Sequence, residues 1–240
     1  MKNIKTIYAI KITAVIFSAV MGLCSCQTQS SNIVSSSTLS EQYPKMYEEK
    51  PLTIAVMPSI NKTEHKEAKD YFYTTLYNPL CEKGYYVFSP NITLDILKEN
   101  NIDDAEKFID GKLDIFRDVL GADAVMFTVI KEWSRDNLLG ELTVDIEYIL
   151  RSTKTGDILY NREGHITLDT SKCGGYGFAG ALASIATTAL NTATTDKVFA
   201  GMACNEIVLY DMPEGKYSPL YGKDIDYPAE KNFIEATAYQ

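Results

Sequence analysis

The 240-residue chain is 45 % apolar and carries a formal charge of −9: enough hydrophobic material for one sizeable core, and the wrong sign for a nucleic-acid surface. Its five cysteines form no CxxC pair and only two histidines accompany them, which argues against a zinc site.

Residues Met1 to Lys11 hold three lysines and no acid, and a short apolar run from Ile12 to Leu23 ends in Leu23-Cys24-Ser25-Cys26. A basic start, an apolar middle, small residues and then a cysteine form the pattern of a bacterial lipoprotein signal peptide. The expected product is a chain cut after residue 25 and lipidated on Cys26. Ser25 is small enough for the cut and Leu23 stands three positions before the cysteine, whereas Cys24 has bulky Leu23 directly before it. The apolar run falls short of the roughly 20 residues that a spanning helix needs. Gln27 rather than Asp follows the cysteine, which points to the outer membrane. Removing 25 residues leaves 215 (240 − 25). Losing Lys2, Lys5 and Lys11 takes the charge to −12 (−9 − 3). Membrane contact is therefore expected from acyl chains rather than from a basic patch.

Residues 26–50 follow as the lipidated cysteine and a Ser/Thr-rich segment expected to be a disordered tether, holding the folded part about 25–30 Å from the bilayer. The main domain is expected over 51–205. Leu52 to Met57 reads as an apolar strand stopped by Pro58, and Ser59 to His65 as a polar loop. Lys66 to Lys83 has Ala68, Phe72, Leu76 and Leu80 on one helical face, with a kink or break expected at Pro79 and a stop at Gly84. Tyr85 to Phe88 is a second short strand. Ile92 to Asn100 and Lys112 to Leu120 read as helices, the latter closed by Gly121, with a further turn or two over Asp103 to Ile109.

Ala124 to Ile130 is nearly all apolar, as a strand covered on both faces would be. Beyond it Leu142, Val144, Ile146, Tyr148 and Leu150 alternate with polar residues, Lys154-Thr155-Gly156-Asp157 makes a turn, and Ile158, Tyr160, Ile166 and Leu168 alternate on the way back. Glu141 to Asp169 is thus a long antiparallel hairpin. The fold class expected is α/β with α+β character in the second half: helices packed on a mixed sheet that includes this hairpin.

No charge occurs from Cys173 to Thr195, a stretch rich in Gly, Ala, Ser and Thr, and Phe178 to Met202 reads as one helix or two. Gly177, Gly180 and Ala181 suit close packing in an oligomer contact, an apolar membrane insertion or an ordinary buried helix. Cys173 and Cys204 flank this segment and can pair only if it folds back as a hairpin. Otherwise they are buried free thiols. Residues 206–240 form a tyrosine-rich acidic C-terminal extension, expected to wrap on the domain surface.

Few residues suggest chemistry. His65 and Asn61 lie in the loop after the first strand, at the sheet end where ligands often bind in α/β proteins. They are the candidate ligand loop, against a plain reading of an exposed histidine at a helix start. His165 falls on the polar face of the hairpin, where pairing with a cross-strand carboxylate is expected. Asp95 and Glu99 share a helical face, and with Asp103 and Asp104 read as solvated acids. No nucleophile elbow, phosphate-binding glycine loop or metal-ligand cluster occurs, so the expectation is a non-enzyme with no cofactor and no metal.

The lipobox, Leu52-Thr-Ile-Ala-Val-Met-Pro58, Pro79-Leu-Cys-Glu-Lys-Gly-Tyr-Tyr-Val-Phe88, Gly121-Ala-Asp-Ala-Val125 and the Lys154-Thr-Gly-Asp157 turn together resemble the neisserial genome-derived-antigen type of envelope lipoprotein. The resemblance runs from about Pro51 to Ala200. It implies an α/β domain similar to the amino-terminal domain of TolB, held at the outer membrane; the lipid-anchored chain is expected to face the periplasm, with the outer surface as the alternative. It also implies action beside a curli-channel-like lipoprotein in an envelope transport or assembly system. It brings no catalytic residues. The alternative reading is a periplasmic small-ligand-binding or weakly hydrolytic domain that uses the Ser59 to His65 loop.

Overall fold

A computed structural model describes residues 37–100, 105–136, 138, 141–169 and 195–239. Cys26, Cys173, Gly177, Gly180, Ala181, Asp103 and Asp104 lie outside the described residues.

Among the described residues, seven strands form one mixed sheet. Strand β1 (Thr53–Val56) lies between β3 (Tyr86–Val87) and β4 (Ala124–Asp136), parallel to both. Pro58 interrupts β1, and β2 (Ile60–Asn61) resumes the same track along β4. Strands β5 (Glu141–Ser152) and β6 (Ile158–Asp169) continue from β4 as antiparallel neighbours, in the hairpin foreseen from the alternation. The seventh strand, β7 (Phe233–Tyr239), lies parallel to β6. The expected α/β class with a mixed sheet is the fold observed.

The alternation of the hairpin places Val144, Ile146, Tyr148 and Leu150 on one face. There they meet α3 (Ala68–Thr75), α4 (Tyr77–Glu82) and α6 (Thr195–Leu209). Phe72, Leu76, Leu80, Ala200, Ala203, Cys204 and Val208 complete that core. Helices α3 and α4 occupy the region read as one helix. The break falls at Leu76, because Pro79 lacks the N–H that a continuous helix needs there. Gly201 allows α6 to lie close on α3, since a Cβ there would meet the Tyr71 carbonyl at 2.9 Å. Among the described residues, the opposite face is covered around β1 and the first half of β4. Ala55, Met57, Val125 and Phe127 pack there on Leu97 of α5 (Pro90–Glu99) and on Leu113 and Phe116. Each large side chain so buried contributes about 1.5–3 kcal/mol.

The hairpin's described residues on that second face include polar pairs. His165 Nδ1 lies 2.5 Å from Asp145 Oδ1 on the neighbouring strand, the expected carboxylate pairing. Lys131, the extra residue at the β4–β5 register shift, bridges Glu147 (2.9 Å) and Glu163 (3.0 Å).

Two expectations are corrected at the chain's ends. The tether predicted over 26–50 is helical in its last part. Here α1 (Leu39–Gln42) is opened by a Thr38–Glu41 capping box, and α2 (Pro44–Glu49) bears proline in its first turn. Leu39, Tyr43 and Met46 are buried, apolar anchors that a Ser/Thr-rich composition masked. The boundary at 205/206 also fails. Helix α6 runs through it to Leu209, and the supposed surface extension ends as β7 in the sheet. Between them the chain crosses Gly84, whose φ of +82° suits glycine and whose missing Cβ admits the Ser218 backbone. Gly215 N and Tyr217 N donate to Lys83 O (2.7 Å) and Gly84 O (2.9 Å).

Candidate functional site

The loop after β1 sits at the carboxyl ends of the parallel strands. The chain leaves β1 towards β3 on one side, then returns across it to β4 on the other, so this is a topological switch point. A crevice of about 630 Å³ opens there, lined by Pro58, Ser59, Asn61, Lys66, Asp70 and Glu106 among others. Ser59 Oγ is buried at its wall without a hydrogen-bond partner among the described residues. A Lys62–Glu106 ion pair joins the loop to the 3₁₀ turn Ala105–Phe108.

Asn61 holds the loop in shape. Its Oδ1 accepts from Thr63 N (3.0 Å) and Thr63 Oγ1 (2.8 Å), and its Nδ2 donates to His65 O (2.7 Å). These bonds occupy both polar ends of the side chain, as in other Asx-stabilised turns. His65 is exposed and faces a second, smaller hollow of about 300 Å³ with Glu67, Tyr71, Trp133 and Lys197. Trp133, the only tryptophan, is 7 % exposed and takes the edge of Phe72 at 6.0 Å. Lys197 Nζ donates to Glu67 Oε2 at 3.1 Å and lies 6.0 Å from the Tyr71 ring centre. The hydrogen bond from Lys197, then that from Tyr71, holds the Glu67 carboxyl below its usual range. Burial, then its bond to Glu67, raises the Tyr71 hydroxyl.

The structure thus sets Asn61 and His65 in one loop but in different hollows, and among the described residues it brings no buried carboxylate to His65. Asp95 and Glu99 are exposed on the outer face of α5, as expected of solvated acids. Among the described residues no group of three His, Cys, Asp or Glu side chains comes together as a metal site. Cys81 and Cys204 are free thiols, and burial raises that of Cys204 well above its usual value.

Among the described residues, a dense buried polar cluster lies elsewhere. Arg162, 0 % exposed, points inward from β6 and forms a two-bond ion pair with Asp211, from Nη1 to Oδ1 and from Nη2 to Oδ2 at 3.0 Å. It also donates to Tyr43 OH (2.7 Å), Val208 O (3.3 Å) and Glu230 O (3.3 Å), while Asp211 Oδ2 accepts from Glu230 N at 2.8 Å. Tyr43 and Tyr160 flank the guanidinium at 5.8 and 5.5 Å. One side chain therefore ties the N-terminal helices, α6 and the tail to the sheet. Sequence reading passed over it. The available signal was a lone charge in the inward phase of the hairpin, among Tyr160, Ile166 and Leu168.

Fold and site define an α/β protein with helices on both faces of a mixed sheet, an open crevice at the strand ends and no assembled catalytic group among the described residues. The chain belongs to the family described as "Putative lipoprotein GNA1162-like", whose model matches residues 41–219. The lipoprotein NMB1124/NMB1162 of Neisseria meningitidis serogroup B is 25 % identical over 181 residues, 75 % of this chain and 80 % of that one. Among solved structures, lipoprotein GNA1162 from Neisseria meningitidis is similar at a TM-score of 0.48 with 24 % identity, over 57 % of this chain and 96 % of that one. A dodecamer of PelC from Paraburkholderia phytofirmans is similar at 0.38 with 19 % identity, over 64 % and 90 %. The family resemblance read from the sequence is thereby established. No helix among the described residues is long and apolar enough to cross a membrane.

Proposed function

We propose that this chain is an outer-membrane lipoprotein, lipidated on Cys26 and facing the periplasm. In this reading it is a non-enzymatic subunit of an envelope transport or assembly system, beside a curli-channel-like lipoprotein. The observation that carries the reading is the joint occurrence of a lipobox ending at Cys26 and membership in a lipoprotein family across residues 41–219. The loop at the strand ends supports it by what its groups are doing: Asn61 shapes the turn, Glu67 is held by Lys197, and His65 faces solvent. Metabolic labelling with an alkyne palmitate is expected to mark the mature chain and to miss the Cys26→Ala variant. Crosslinking in cells is expected to recover a membrane-associated partner. An unlabelled mature chain, or recovery of no partner at native expression, counts against the proposal.

The crevice favours one second reading, binding of a small ligand, because Ser59 Oγ is left unpartnered at its wall. A ligand that raises the melting temperature of the wild type but not of Ser59→Ala supports it. Equal shifts in both reject it.

A further inference from the structure

Strand β7 is the last in the sheet, and among the described residues nothing pairs with its outer side. Natural edges are normally blunted by lysines, prolines, bulges or brevity. This one has none of those defences. Its sequence, Phe-Ile-Glu-Ala-Thr-Ala-Tyr, holds one charge and no proline, and its seven residues keep regular register with β6. Phe233 is 53 % exposed. An apolar groove of about 590 Å³ runs beside the strand, lined by Ile207, Tyr210, Phe233, Ile234 and Ala236 among others. The strand lies beyond the residues that the family model matches.

The hydrogen bonding to β6 fixes which backbone groups are free. Glu163 N donates to Asn232 O at 2.8 Å, and Glu163 stands opposite Phe233 in the parallel register. Carbonyls and amides of even-numbered residues therefore point at β6, and those of Phe233, Glu235, Thr237 and Tyr239 point outward.

We propose that β7 pairs antiparallel with β7 of a second copy of this chain, about a two-fold axis at Ala236. Only antiparallel pairing allows a closed two-fold contact between identical edges. In this register Phe233 pairs with the second copy's Tyr239, and Glu235 with the second copy's Thr237. Each pair is made of outward-pointing residues, so all four pairs exchange hydrogen bonds, roughly eight in all. No charge faces its like. The register displaced by two residues towards the N-terminus sets Glu235 against Glu235 of the second copy and loses pairs. The displacement the other way also loses pairs. Charge and hydrogen bonding thus select the same alignment. It places Ala236 opposite Ala236 as a close, non-hydrogen-bonded pair and continues the small apolar row Ile234, Ala236, Ala238 across the axis.

The close pair supplies the test. Its Cβ atoms stand about 4.5–5.5 Å apart, near disulfide reach. In membranes carrying the full lipidated chain, Ala236→Cys is expected to oxidise to a dimer on a non-reducing gel. Glu235→Cys, with Thr237 opposite, is expected to do so at least about tenfold more slowly. Wild type, whose mature chain keeps Cys81, Cys173 and Cys204 beside the lipidated Cys26, sets the background. Adding Thr237→Pro to Ala236→Cys should abolish the dimer, since it deletes an outward amide and leaves every bond to β6. Thr237→Lys, which meets Glu235 twice across the axis, should tighten self-association roughly three- to tenfold in sedimentation of the detergent-solubilised protein, and Thr237→Glu should weaken it as much. Equal oxidation at 235 and 236, no dimer at 236, or indifference to all three Thr237 variants overturns the proposal. So does an adduct of Ala236→Cys with a different protein, which would place an extended foreign strand on this edge.

Discussion

The Arg162–Asp211 pair gives the sharpest test of what holds the fold together. Both groups lie out of water, Arg162 at 0 % and Asp211 at 8 % exposure, and each is needed to neutralise the other. Arg162→Met keeps most of the stem's packing but leaves the Asp211 carboxylate, among the described residues, with the Glu230 amide as its donor. An uncompensated buried charge of this kind costs about 3–5 kcal/mol. Against a total stability of about 5–15 kcal/mol, that is a large fraction. With a urea dependence near 2–3 kcal/mol/M, the unfolding midpoint should fall by about 1–2.5 M. Asp211→Asn should cost a similar amount by stranding the guanidinium. The double variant Arg162→Met/Asp211→Asn should recover most of the loss, because no net charge is then buried and the side-chain amide oxygen that replaces the carboxylate can still accept from Glu230 N. Fluorescence of Trp133 follows the unfolding. The reasoning is refuted if Arg162→Met costs under about 1 kcal/mol, or if the two single losses simply add in the double variant.

Three other outcomes follow from particular contacts. Gly84→Ala should destabilise by about 2–4 kcal/mol, from a left-handed backbone and a Cβ driven into the Ser218 backbone, and amide exchange at Gly215 and Tyr217 should rise with it. Burial, reinforced by Glu82 and partly offset by Lys83, raises the Glu206 carboxyl above its usual value. A carboxyl raised on folding favours the native state fully only below its unfolded value, and that contribution is lost as pH rises through the folded one. Glu206→Gln should therefore match wild type below about pH 4, and exceed it by some tenths of a kcal/mol to about 1 kcal/mol at neutral pH, read from paired melting curves. Asn61→Ala should cost about 1 kcal/mol by freeing the Thr63 and His65 backbone groups, while His65→Ala stays within about 0.5 kcal/mol.

Periodicity carried the fold as far as periodicity reaches. The alternation from Leu142 to Leu168 specified a hairpin with an inward and an outward face, because side chains on a strand alternate whatever lies nearby. Pro79 marked a helix break and Gly121 a helix end, because proline lacks a donor and glycine tolerates positive φ. The lipobox and the motifs around Pro58, Gly84 and Asp123 carried the family. The loop Ser59 to His65 was legible as the occupant of the strand ends, but not as a turn in which Asn61 is spent on its own backbone. Those bonds depend on where the chain folds back. Only tertiary structure decided that residues 39–49 are a docked pair of helices, since Leu39, Tyr43 and Met46 become anchors through Arg162 and the tail, which are distant in sequence. It alone decided that the tyrosine-rich end is a strand. Phe233 to Tyr239 has the propensity for one, but strand pairing takes its partner from elsewhere in the chain, and β6 supplies it here. Local rules set the phase of each segment, whereas long-range contacts set which segments meet and which edge of the sheet stays open.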